Sequence, residues 1–154
     1  MINDDTRQKL NEAAVAVFGS MYFTPIELLP DIPPEDKWHL QDKYVRAAIA
    51  YSGPHSAKMT LYFPEKLGAN IAAGFLGRDI DQLSAEQIID TMREAANMIV
   101  GSFLGKLDPH GACKLEIPVA EIVASFSPVA SAPVDSAALA FMSDFGFMWI
   151  FVSN

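Results

Sequence analysis

The run from Ser84 to Leu107, SAEQIIDTMREAANMIVGSFLGKL, constrains the fold more than any other segment, because it reads as one long helix. Ser84 is a good N-cap, Gln87 completes a capping box, and Leu83 and Ile88 stand where a hydrophobic staple would form. Gly105 and Asp108-Pro109 set its end. Ile88, Met92, Ala95, Ile99 and Phe103 cluster on one side, where they can face a core. At 100° per residue, Asp90, Glu94, Asn97 and Gly101 fall on one narrow stripe away from them. A solvated stripe is ordinarily filled with Lys, Glu and Gln. This one spends two positions on poor helix formers: Asn costs roughly 0.5–0.7 kcal/mol and Gly about 1 kcal/mol relative to Ala. A carboxylate, a carboxamide and bare backbone in line read as a surface meant to be touched. The plainer alternative is the polar face that any amphipathic helix carries.

With 154 residues, 51% of them hydrophobic, the chain is expected to form one domain, 1–154, around a sizeable core. The 19% of charged residues is too few for disorder at that apolar content. A net charge of −8 argues against nucleic acid or an anionic membrane surface as partner. The single cysteine, Cys113, allows no internal disulfide, and with no local base it reads as an inert core thiol. The start, MINDDTRQKL, lacks the apolar stretch of a signal peptide, and no uncharged apolar run has membrane-span length. A soluble cytoplasmic protein is expected.

Elsewhere the pattern predicts a first helix over 4–22, with Leu10, Ala13, Ala14, Val17, Phe18 and Met21 at helical spacing and Thr24-Pro25 ending it. Residues 24–37 hold four prolines and read as an irregular connection. Two β runs, Tyr44–Tyr51 and Ala57–Phe63, flank Gly53-Pro54 as a hairpin. Glu65–Leu76 reads as a short helix, with Pro64 suited to its first turn and Gly77 to its C-terminal cap. A strand is expected near Ala112–Ile117, a loop over Ser125–Ser136, and a last hairpin of Ala137–Met142 with Phe147–Val152. The fold class is therefore α+β, a mainly antiparallel sheet with packed helices.

The chain also repeats itself. Glu12-Ala13-Ala14, four residues, then Gly19-Ser20-Met21 matches Glu94-Ala95-Ala96, four residues, then Gly101-Ser102-Phe103. Arg46–Tyr51 matches Ser136–Phe141, and Met59, Leu61 and Phe63 match Met148, Ile150 and Val152. These matches suggest two related halves, about 4–77 and 84–154. Val15 stands where the second half has Asn97. Such asymmetry is what one decayed site of two, or ordinary drift, would leave.

Other constellations point to no chemistry. His39, His55 and His110 lack metal-ligand spacing with Cys113 or carboxylates. Ser20, Ser102 and Ser143 have no nucleophile-elbow context. Gly74–Gly77 follows a helix, not the strand that a phosphate loop requires. The strand from Phe145 to Phe151 is apolar on both faces and reads as a central strand buried from both sides or as part of a dimer interface. Trp38 is either a clamp over the core or an exposed contact.

Asp90-x3-Glu94-x2-Asn97 in a long helix, followed some twenty residues later by Pro118, resembles the signature of the CheC/CheX/FliY family of chemotaxis phosphatases. The order of elements is similar over nearly the whole chain. One intact signature beside one blank half resembles the CheX branch more closely, since CheC members usually carry two. The interval from Asn97 to Pro118 is slightly shorter than the family's usual one, which bears on the strand after the helix. The resemblance implies hydrolysis of the phosphoryl-aspartate on a phosphorylated CheY-like response-regulator receiver domain. Asn97 would orient the attacking water and Glu94 would pair with a receiver Lys. Gly101 would let the receiver's backbone approach, and Asp90 would either touch the partner or solvate the helix. The chain would need no cofactor of its own, the Mg²⁺ belonging to the receiver, and a homodimer is possible. The rival expectation is a non-enzymatic receiver-binding or flagellar-switch adaptor of the same fold. A ligand-sensing domain is a third, for which the sequence offers no polar pocket.

Overall fold

The computed structural model describes residues 2–34, 43–124 and 136–154; Trp38, His39 and the 125–135 part of the expected loop lie outside them. The elements in order are α1 (Asp4–Met21), β1 (Glu27–Leu28), β2 (Tyr44–Ser52), β3 (Ala57–Pro64), α2 (Glu65–Leu76), a single 3-10 turn (Ile80–Gln82), α3 (Ala85–Leu107), β4 (Lys114–Leu115), β5 (Val119–Val123), β6 (Ala137–Ser143) and β7 (Gly146–Ser153). All strands join one antiparallel sheet in the order β1-β6-β7-β3-β2, with β4 and β5 both on the outer edge of β2. No helix among the described residues is long and apolar enough to cross a membrane.

Local signals place the helices. Asn3 caps α1, its Oδ1 accepting from Thr6 N at 2.8 Å. The capping box of α3 is complete: Ser84 Oγ accepts from Gln87 N at 3.1 Å and Gln87 Oε1 from Ser84 N at 2.9 Å. Gly105 does not stop α3, which runs on to Leu107. The stop comes at Asp108, whose carboxylate turns back to accept from Cys113 N at 2.6 Å. That bond holds the Asp108 carboxyl below its usual range. Cys113 is half-buried at the edge of the core rather than within it, and donates to the His55 carbonyl at 3.5 Å.

The end of α1 is unusual. Thr24 N–H bonds back to the Phe18 carbonyl at 2.9 Å, and Phe23 takes a φ of +51°. Gly or Asn normally fills that left-handed position. An aromatic residue there costs roughly 1–2 kcal/mol.

All three helices lie on one face of the sheet. Val45, Ala47, Ile49, Met59, Leu61, Phe63, Met148 and Ile150 point toward them and are buried. The buried arc of α3 is wider than the sequence stripe. Ala96, Val100 and Leu104 join Ile88, Met92, Ala95, Ile99 and Phe103, because α3 packs on α1 as well as on the sheet. On the other face Tyr44, Tyr62, Phe147, Trp149 and Phe151 form a second buried cluster, with Trp149 and Phe151 stacked at 6.4 Å. β7 is thus a central strand buried on both sides within one chain.

The two hairpins agree in facing but not in step. Ile49 faces Met59 across the first, whereas its match Leu139 faces Ile150; Met148, the match of Met59, faces Phe141. A slide of two residues keeps each side chain on its own face. The matched residues of the two hairpins thus pair two residues apart in register.

The strand expected over Ala112–Ile117 is corrected. β4 is two residues long and pairs at the end of β2, Tyr51 with Leu115; β5 then pairs Ala48 with Val119. Glu116, Ile117 and Pro118 thus oppose two residues of β2, Ala50 and Ile49. One extra residue makes a bulge. Pro118 has no N–H to give the ladder, and the inward parity changes across it, from Leu115 to Ala120 and Ile122. β1 was also missed, since two residues carry no periodicity to read.

Gly53 fixes the turn of the first hairpin. Its φ is +131°, and a Cβ there would lie 2.9 Å from the Ala112 carbonyl oxygen. Gly53→Ala is expected to cost about 2–3 kcal/mol, through both backbone strain and that collision. A urea melt checks it: the midpoint falls at unchanged slope.

Candidate functional site

The side of α3 that the core does not use faces the bulge. Between them runs an open groove of about 350 Å³, walled by Arg93, Glu94 and Asn97 from the helix and by Leu115, Glu116, Ile117 and Pro118 from the strand connection. Glu94 is exposed and Asn97 half-buried. Among the described residues neither side chain has a hydrogen bond or ion pair within the chain. An amide with one acceptor oxygen and two N–H donors is therefore unspent, beside an unpaired carboxylate. Both sit on the middle of a 23-residue helix anchored by eight buried side chains, so their Cα positions are rigid.

The other two residues of the stripe lie outside the groove. Asp90 is exposed and paired with Arg93 one turn along the same helix. Gly101 is half-buried, and a Cβ on it would meet Leu115 Cδ2 at 3.9 Å, an ordinary contact. Its nearest neighbour is thus this chain's own β4. The first helix offers no second site at the matched position, where Val15 is 39% exposed.

Sequence reasoning missed the opposite wall. Ile117 is 89% exposed, because the bulge carries the chain off the sheet edge there. The change of inward parity across Pro118 was the available signal. Tyr22 was also missed. Its hydroxyl donates to Met98 Sδ at 3.8 Å, linking the end of α1 to α3. Burial, and secondarily the Glu94 carboxylate, push its phenol up from the usual value. Among the described residues no three His, Cys, Asp or Glu side chains converge as a metal site.

The family model described as chemotaxis phosphatase CheX matches residues 45–128, more than half of the chain, including the whole of α3 and the bulge. The chain belongs to the CheX family. Comparison with curated proteins gives no match. Among solved structures the chain is similar to CheX from Vibrio vulnificus, with a TM-score of 0.77 at 18% identity over 99% of this chain and 98% of that one. It is similar to CheX in the CheX–CheY–BeF3–Mg²⁺ complex from Borrelia burgdorferi, with a TM-score of 0.71 at 17% identity over 98% of both chains. Thermotoga maritima FliY gives a TM-score of 0.62 at 17% identity over 100% of this chain and 92% of that one. At such identities these likenesses establish the shared CheX-type fold; what this member does is argued from its groove.

Proposed function

We propose that this chain hydrolyses the phosphoryl-aspartate of a CheY-like receiver domain, with Asn97 and Glu94 in the groove as the working residues. The observation that carries the reading is the unspent amide beside the unpaired carboxylate on an outward helix face. The Borrelia CheX structure, which holds CheY with beryllofluoride (a stand-in for the phosphoryl group) and Mg²⁺, supports the class of partner.

An acyl phosphate is already reactive, so the helper's task is positioning. The Asn97 carbonyl oxygen accepts from a water held in line with phosphorus. The water oxygen bonds to phosphorus as the bond to the aspartyl oxygen breaks, leaving free aspartate and inorganic phosphate, which takes the water's proton. A neutral amide does this without adding charge beside the anion. Glu94 pairs with a receiver Lys and fixes the docked helix. The Mg²⁺ that neutralises phosphoryl charge belongs to the receiver.

The test adds the chain to a receiver labelled with acetyl phosphate and Mg²⁺ and follows loss of the phosphoryl group. Acceleration that saturates with concentration is expected. Binding without acceleration would make the chain an adaptor instead. Glu94→Lys places like charges together and is expected to weaken the complex about tenfold or more, read as a rise in Kd.

A further inference from the structure

We infer that the corner where α1 and α2 end, built on Phe23 and Phe75, is a second contact for the same receiver and seats one of its apolar side chains. This rests on the receiver-phosphatase reading.

Phe23 is 88% exposed and Phe75 60%, with Met21 and Leu76 also exposed beside them. Met21, Tyr22, Phe23, Ile71 and Phe75 line a hollow of about 380 Å³, room for a large side chain. Exposed aromatics at such density are uncommon on a surface with no partner. The backbone adds an independent observation. Phe23 holds the left-handed φ of +51° that glycine would take freely, so the chain bears local strain to present an aromatic ring to water.

The corner adjoins the site helix on the side of Glu94, whose carboxylate acts on the Tyr22 phenol. Tyr22 packs edge-on against Phe75, with ring centres 5.9 Å apart, and its hydroxyl reaches Met98. Met98 follows Asn97 on α3. A receiver that lowers its phosphorylation site onto Asn97 therefore passes beside this corner. Area argues the same way. A stable protein complex covers about 800 Å² of each partner. The groove and its bulge wall are lined by seven residues, against the roughly 20–30 on each side that such an interface uses.

The experiment measures Kd for a CheY-like receiver carrying beryllofluoride and Mg²⁺, with wild type, Phe23→Gly and Phe75→Ser. Phe23→Gly suits the left-handed backbone, so the fold is retained, which thermal melting checks. The expected result is a Kd raised about tenfold in each variant, as truncating an aromatic anchor does. Unchanged Kd in both variants, with wild type active on the receiver, overturns this inference and leaves the phosphatase reading standing. A wild type that neither binds nor discharges a receiver overturns both. Loss of a wild-type dimer in Phe23→Gly, with receiver affinity intact, assigns the corner to a second copy and likewise overturns it.

Discussion

Asn97→Ala is expected to slow dephosphorylation of a bound receiver by about a hundredfold or more, while affinity for the beryllofluoride-loaded receiver stays within a few-fold. Removing one group that orients or stabilises the reacting atoms commonly costs 10²–10³ in rate. Binding is spared because the amide is half-buried and, among the described residues, makes no hydrogen bond whose loss would disturb the helix. Asn97→Asp keeps the shape and adds a charge. It is expected to do no better, since a carboxylate repels the phosphoryl oxygens and the approach of water is not restored. Single-turnover decay at saturating chain concentration separates the two quantities. Asn97→Ala retaining the wild-type rate would remove the amide from the mechanism.

Phe103→Ala is expected to destabilise the fold by about 3–5 kcal/mol, the usual cost of emptying a buried aromatic site. Phe103 is fully buried two turns beyond Asn97, and its ring meets that of Tyr51 on β2 at 6.3 Å. It pins the second half of the site helix to the sheet, next to the edge where β4 pairs. A domain of this size has about 5–15 kcal/mol in total, so the variant loses a large share. Chemical denaturation reads it as a lower midpoint at unchanged slope. A loss below about 1 kcal/mol would mean that α3 is held chiefly by its contacts with α1.

What could be read in the sequence was local or periodic. The cap of α3 depends on residues three apart, and its polar stripe on a fixed angle per residue. Both are written in consecutive letters, and Glu94 and Asn97 stand where that spacing puts them. The first hairpin was legible for the same reason: Gly53 supplies a φ that few residues tolerate. Asp90 and Gly101 share the stripe by angle but do not line the groove: Asp90 pairs with Arg93, and Leu115 of the far wall lies against Gly101. That wall is set by pairing with β2, more than sixty residues earlier in the chain, and spacing along α3 carries no trace of it.

The other misses have the same origin. Ala96, Val100 and Leu104 became core because α1 packs on α3, a contact between segments far apart in sequence. The strand after α3 is displaced because its register is set by pairing with β2, where the ladder gains a residue before Pro118. Tyr22 is 76 positions from the Met98 it touches.

The central claim is that the middle of α3 enters a receiver's phosphorylation site with Asn97 foremost. A crystal structure of this chain bound to a receiver carrying beryllofluoride and Mg²⁺ tests it most directly. The account predicts the Asn97 amide within hydrogen-bond reach, about 3 Å, of a water or fluoride in line with the beryllium, and Glu94 paired with a receiver Lys. A complex in which α3 faces solvent, with the receiver seated on another surface, would contradict it.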